Sequence, residues 1–232
     1  MITISGQSVN EVFVKTAREM LTKNNITNRR GMKILELDDV WLILTNPKNN
    51  ICSLEARDIS YEYLNGEMDW YQSGNLNVDD IAKYSSFWKQ LADSNGTVNS
   101  NYGWLTQVQK HSGISQFEWC IRRLKEDKYT RQAIMNYNQP CHKYEGVKDF
   151  VCTISQTFIV RNDKLDSIVL MRSNDLIYGL TYDIVWFTEL LQEMSHILEI
   201  PIGLYKHYAT SLHVYERHFD MLVKMADEGF DL

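Results

Sequence analysis

The stretch from Asp149 to Trp186 constrains the fold more than any other part of the chain. From Phe150 to Val160 apolar residues alternate with small or polar ones, the two-residue period of a strand with unlike faces. Arg161-Asn162-Asp163-Lys164 interrupts the run with residues suited to a tight turn. Leu165 to Met171 is a second run, β-branched and aliphatic, so the pair predicts a β-hairpin. After Asp183 the period changes. Ile184, Phe187, Leu190, Leu191, Met194, Ile197 and Leu198 recur at helical spacing, and Asp183 stands where an N-cap would. Cys152, the pair Arg172-Ser173, and the carboxylates Asp175 and Asp183 are thereby set along a strand, a strand end and a helix start. Reactive groups held on rigid elements are what a site requires.

The remaining periodicity predicts helices over 9–22, 58–71, 81–92 and 115–125, and a closing amphipathic helix over 215–226. Strands are expected over 32–44, 131–137 and 203–214, with polar loops over 25–31, which contains Arg29, and 99–104, which contains Tyr102. Helices and strands alternate irregularly and the central pair is antiparallel, which favours an α+β fold with a mixed sheet over a doubly wound parallel one. No repeat or linker divides the chain, so residues 1–232 are expected to form one domain, long enough to bury a sizeable core.

Composition excludes several classes. With 44% hydrophobic and 12% aromatic residues the chain reads as globular. No apolar run approaches membrane-spanning length, and MITISGQSVN lacks the basic and apolar regions of a signal peptide, so a cytoplasmic location is expected. A net charge of -6 argues against a nucleic-acid surface, while leaving room for a local arginine cluster around one phosphate. The four cysteines show no ligand-like spacing and no disulfide framework, and no metal is expected.

Each candidate residue also has an ordinary role. A cysteine in an apolar strand is usually a small buried hydrophobe, although an arginine on the adjoining strand would lower its pKa. Arg172 reads equally as a surface cation at a strand end, Asp183 as a cap, Glu67 as a solvated helix carboxylate and Asp175 as a turn former. His213 and Tyr215 alternate on a strand and so share one face, which edge packing alone would explain.

Taken together, Cys152, Arg172-Ser173-Asn174-Asp175, Gly179 and Ser211-Leu212-His213-Val214-Tyr215 resemble the thymidylate synthase superfamily, and within it the cytosine-using branch of phage deoxycytidylate hydroxymethylases. The resemblance runs from about Thr27 to the last helix. It implies one thymidylate synthase-like domain with a mixed, mostly antiparallel sheet flanked by helices, packed at a homodimer interface. It also implies Cys152 as nucleophile, because its offset from the Arg-Ser pair is the family's; Pro140-Cys141-His142 imitates the family's cysteine motif but lies eleven residues from that offset. Arg29, Arg172 and Ser173 would hold the nucleotide phosphate, joined by Arg131 from the partner subunit, although the family's second arginine is here Gln132. Tyr102 would stand near the nucleophile, and His213 and Tyr215 would bind the sugar 3'-hydroxyl.

The resemblance further assigns proton and water handling to Glu67, in a Glu-Met-Asp-Trp sequence that ends at Trp70. It gives the pterin of the folate to Asp175, with Trp70 beside it. Asp183 matches a position that is asparagine in thymidylate synthases; a carboxylate there suits the amino group of cytosine. The implied reaction transfers a one-carbon unit from 5,10-methylenetetrahydrofolate to C5 of dCMP, with water addition and a covalent bond from Cys152 to C6. Neighbouring possibilities are a dCMP or CMP methyltransferase, a CMP hydroxymethylase, a dUMP enzyme, and a nucleotide-binding homologue without catalysis.

Overall fold

A computed structural model describes residues Met1–Gly229. In chain order it contains β1 (Ile2–Gly6), α1 (Val9–Lys23), β2 (Ile26–Arg29), β3 (Met32–Leu44), α2 (Tyr61–Ser73), α3 (Phe87–Leu91), β4 (Lys110–His111), β5 (Ile114–Ser115), α4 (Gln116–Glu126) and β6 (Ile134–Asn136). After these come β7 (Thr153–Arg161), β8 (Lys164–Met171), β9 (Asn174–Asp175), α5 (Leu180–Leu198), β10 (Ile202–Tyr215) and α6 (Phe219–Asp227). The chain packs as two compact units, one formed by Met1–Ile59 and the segment from Ile159 onward, the other by Ser60–Phe158. The expected α+β fold with a mixed, mostly antiparallel sheet and flanking helices is what these elements build.

In the first unit the strands lie in the order β1-β3-β10-β8, with β2 on β3 and β9 on β10. β3 and β10 form the longest ladder, antiparallel from Leu44 opposite Tyr205 to Ile34 opposite Tyr215. β10 is parallel to β8, and β1 to β3. Parallel neighbours need a crossover connection, and here α5 and α1 lie within those crossovers. α5 is apolar around most of its circumference and buries Ile184, Val185, Phe187, Leu190, Leu191 and Met194. A helix with such a profile belongs in the core, and it packs on β8 and β10. α1 starts at Ser8, whose side chain accepts from the Glu11 N–H, and ends at Asn24 in the left-handed conformation. Its face of Val9, Val12, Phe13, Ala17 and Met20 is buried, at roughly 1.5–3 kcal/mol for each large side chain.

The hairpin between β7 and β8 turns through Asn162 and Asp163, with φ of 49° and 57°. Two positive φ values define the two-residue turn whose twist matches its strands, and Asn and Asp are among the residues that tolerate them. A second hairpin stands where a polar loop was expected. β2 pairs antiparallel with β3 and turns through Arg30 and Gly31, φ 52° and 79°. β2 is mostly exposed, so no buried face marks it in the sequence.

In the second unit Ser60 caps α2 and Gly74 ends it at φ 62°. A capping box between Ser115 and Glu118 starts α4. β6 pairs antiparallel with the first half of β7. The expected helix over 81–92 breaks into a 3-10 turn at Ile81–Lys83 and the short α3, and the expected strand over 131–137 shortens to β6. A π-helix at Trp104–Val108 directly follows Tyr102 and Gly103. Among the described residues no helix is long and apolar enough to cross a membrane.

Candidate active site

The second unit holds Cys152, Glu67, Trp70, Tyr102 and Arg131. Cys152 does not lie inside the strand but immediately before β7, where its side chain is half-buried and its Sγ lies 4.0 Å from the Phe150 carbonyl oxygen. Its neighbour Thr153 is fully buried and donates to the Tyr102 hydroxyl at 2.9 Å. Tyr102 stacks on Tyr71, with ring centroids 5.1 Å apart, and Tyr71 lies against Trp70 at 5.4 Å. Gly103 makes this stack possible, because a Cβ there would lie 1.7 Å from the Tyr71 carbonyl oxygen.

Glu67 is buried on α2 and accepts from the Tyr63 hydroxyl at 2.7 Å, one helical turn away. Trp88 Nε1 donates to the same hydroxyl at 3.0 Å, and Trp88 packs on Trp70 at 4.9 Å. The Trp70 indole N–H donates to Asn77 O. One aromatic wall thus connects Glu67 through Trp88, Trp70, Tyr71 and Tyr102 to the residue beside Cys152. Asp69 is exposed, as its place on α2 predicts, and Arg131 is exposed in the bend leading to β6.

Other cysteines in the chain behave differently. Burial pushes the Cys52 thiol up to about 11 and that of Cys120 to about 12, which suppresses the reactive thiolate. Cys141 sits exposed in the 3-10 turn Pro140–His142.

The first unit gathers the other candidates around β9. Arg172 and Ser173, both half-buried, form the bend between β8 and β9. Asp175 accepts the N–H groups of Ile177 and Tyr178 through Oδ1, so it does act as a turn former. β9 pairs parallel with β10 and sets Asp175 beside His213. His213 is 8% exposed and meets Tyr215 edge-on at 5.1 Å, which places both rings on one face. Burial lowers the His213 pKa, an effect that the Asp175 carboxylate, a hydrogen bond with the Ser211 backbone and the Glu36 carboxylate partly oppose. Its Nδ1 is buried with no hydrogen-bond partner among the described residues. An unmatched polar atom of that kind suits a ligand hydroxyl.

Asp183 is not the cap of α5. The helix starts after Gly179, and the Asp183 N–H already pairs with the Gly179 carbonyl at 3.0 Å. Its carboxylate is half-buried in the first helical turn, where the helix dipole favours negative charge, and Oδ2 accepts from Asn174 Nδ2 at 3.1 Å. Arg29 reaches from β2 to Glu36 Oε2 at 3.1 Å. Glu36 lies opposite His213 in the ladder and also accepts from Thr27 and Ser211. Burial alone would raise the Glu36 pKa, but hydrogen bonds from Ser211, Thr27 and Arg29 bring it below the ordinary carboxylate range.

Sequence reasoning gave no role to Tyr63, Glu36 and Asn174. The spacing of four between Tyr63 and Glu67 on a helix was a usable signal, as was a lone charge flanked by Leu35 and Leu37. Asn174 stood inside the quoted motif with nothing to distinguish it.

Comparison with known proteins gives a consistent result. A family model described as Thymidylate synthase matches residues 11–228. The chain is 29% identical over 226 residues to the deoxycytidylate 5-hydroxymethyltransferase of Enterobacteria phage T6, covering 92% of this chain and 89% of that protein. It is 28% identical to the Enterobacteria phage T4 protein of the same name over the same shares. The deoxyuridylate hydroxymethyltransferase of Bacillus phage SP01 is 27% identical over 93% of this chain and 59% of its own length.

Proposed function

The chain belongs to the thymidylate synthase family, and within it we propose a deoxycytidylate 5-hydroxymethyltransferase that uses 5,10-methylenetetrahydrofolate as co-substrate. The observation that carries this reading is Asp183: a carboxylate fixed in the first turn of α5 and already accepting one amide N–H. A carboxylate accepts hydrogen bonds and so matches the N4 amino group of cytosine, whereas uracil offers a carbonyl oxygen at that position.

Cys152, half-buried before β7, is the nucleophile. Its thiolate adds to C6 of the pyrimidine and makes C5 electron-rich. Asp183 holds the amino edge of the base, and Arg29, Arg172 and Ser173 take the phosphate. The unmatched nitrogen of His213, with Tyr215 beside it, meets the sugar hydroxyl. When bound, the folate supplies a one-carbon unit at the oxidation level of formaldehyde. The residues present fit it. Asp175 is half-exposed and fixed through one carboxylate oxygen, which leaves the other for N–H donors of a pterin, and Trp70 belongs to the aromatic wall of its own unit. Once the C5 proton has left and the new carbon has parted from the folate nitrogen, Glu67, with Tyr63 as its hydrogen-bond partner, accepts a proton from the water that adds to that carbon, and loss of Cys152 from C6 completes the turnover.

The family match from residue 11 to residue 228 spans both compact units, which supports one catalytic domain over residues 1–232. A homodimer in which the exposed Arg131 completes the partner's phosphate site, acting in the cytoplasm of an infected host, is part of the same reading. It is tested by mass spectrometry of the products formed from dCMP, CMP and dUMP with methylenetetrahydrofolate. A gain of CH2O on dCMP alone is expected. A gain of CH2 would make the enzyme a methyltransferase, and turnover of dUMP in preference to dCMP would overturn the role given to Asp183. No product from any of the three nucleotides would favour a binding protein.

A further inference from the structure

The reaction above leaves Asn174 without a part. This residue is 3% exposed, opens β9 and pairs with Leu212. Its Nδ2 lies 3.1 Å from Asp183 Oδ2 and 3.5 Å from His207 Nε2, with Met171 Sδ at 2.7 Å. His207 is fully buried on β10, and its other nitrogen, Nδ1, lies 2.9 Å from the Tyr205 hydroxyl. Burial pushes the His207 pKa down to about 3, so the ring is neutral near pH 7 and carries one donor and one acceptor.

With Asp183 ionised, one arrangement of protons suits all four groups. If the Asn174 amide donates to Asp183 and towards Nε2, then Nε2 is the acceptor of the imidazole. Nδ1 then carries the proton and donates to the Tyr205 oxygen. The opposite amide orientation would set Asn174 Oδ1 against the Asp183 carboxylate, acceptor against acceptor. The far side of the amide is closed as well. Oδ1 has no hydrogen-bond partner among the described residues, and a Cβ on Gly179 would lie 3.0 Å from it.

We propose that Asn174, oriented by His207, is a positioning residue that fixes Asp183 as a hydrogen-bond acceptor and so sets the selectivity for an amino-bearing pyrimidine over its oxo counterpart. This rests on the reading of Asp183 as the residue that meets the base. A carboxylate that already receives an N–H is stabilised in its charged form, and a charged carboxylate cannot donate to the O4 of uracil. The selectivity of Asp183 therefore depends on a residue that does not itself touch the nucleotide.

The test uses the full chain with dCMP and dUMP, by calorimetric binding without folate and by steady-state turnover with it. The variants are Asn174→Ala, His207→Phe and His207→Gln. Asn174→Ala and His207→Phe are expected to lower the dCMP:dUMP ratio of kcat/KM by about tenfold or more, chiefly through a higher KM for dCMP, and to lower the binding ratio alike. His207→Gln places a carbonyl acceptor near the lost nitrogen and should restore most of the ratio. A parallel loss for both nucleotides, or an unchanged ratio, would overturn the proposal. If Asn174→Ala does not fold, the two His207 variants decide it. A wild-type protein with no preference for dCMP would sink the reading of Asp183 itself, an outcome seen before any variant is compared.

Discussion

Thr153, the residue after Cys152, donates to the hydroxyl of Tyr102 at 2.9 Å, and both side chains are buried. Tyr102→Phe removes the acceptor and leaves a buried hydroxyl unmatched. A loss of about 1–3 kcal/mol is expected, read as a lower urea midpoint at unchanged slope. Alkylation of Cys152 should change in rate as well, because the adjoining backbone loses its anchor.

Gly103→Ala should cost at least as much. Its Cβ would meet the Tyr71 carbonyl at 1.7 Å, and backbone cannot yield as a flexible side chain does. A destabilisation of roughly 1–3 kcal/mol or above is expected, together with a disturbed Tyr71–Tyr102 stack visible in near-ultraviolet circular dichroism. A wild-type spectrum and midpoint would contradict the close approach.

The cysteines should separate by reactivity. At pH 8, short exposure to iodoacetamide is expected to modify Cys141 and Cys152, while Cys52 and Cys120, with thiols pushed up to about 11 and 12, react only after unfolding. Peptide mass spectrometry reads the result directly. Cys152→Ser should then lower turnover by about a thousandfold or more, some 4 kcal/mol of barrier.

Glu67→Gln keeps the shape of the side chain and a hydrogen-bond acceptor for Tyr63 but removes the base. Turnover should fall by about 100-fold or more while nucleotide affinity is retained. Equal losses in both would place Glu67 in binding instead.

His207 makes stability sensitive to acid. Its pKa is about 3 in the folded chain against 6.5 for the ordinary side chain, so the unfolded state binds the proton first. The stability tied to this ring is therefore fully present above pH 6.5 and is lost as pH falls below that value, by about 1.4 kcal/mol per unit, until the folded ring protonates near 3. Urea midpoints at pH 7 and pH 5 should differ less in His207→Gln than in the wild type.

Much of this architecture was legible in the sequence. The β7–β8 hairpin and α5 announce themselves because their apolar periods match faces that are in fact buried. β2 did not, because an exposed edge strand has no buried side to write into its composition. Asp183 was misread as a cap for a related reason: Asp is a favoured capping residue, while the N-cap is Gly179, whose side tells nothing of itself. Cys152, Arg172 and His213, like Arg29 and Asp183, are candidates named from motifs. The partners that condition them, Glu36 for Arg29 and Asn174 for Asp183, are neighbours through strand register and helix placement, which spacing along the chain does not encode.

β10 enters its sheet between β3 and β8, after the whole of α5 has been made, and only then do Asp175 and His213 come side by side. Pairing between segments so distant in sequence is slow to form, since the entropy of closing the loop is lost before any contact compensates for it. During synthesis His213 and Tyr215 are therefore the last of the candidate residues to emerge and dock. A nascent or truncated chain would keep its cysteine and arginines yet have no graded, weaker version of this half of the site, and competence should arrive as a single late step.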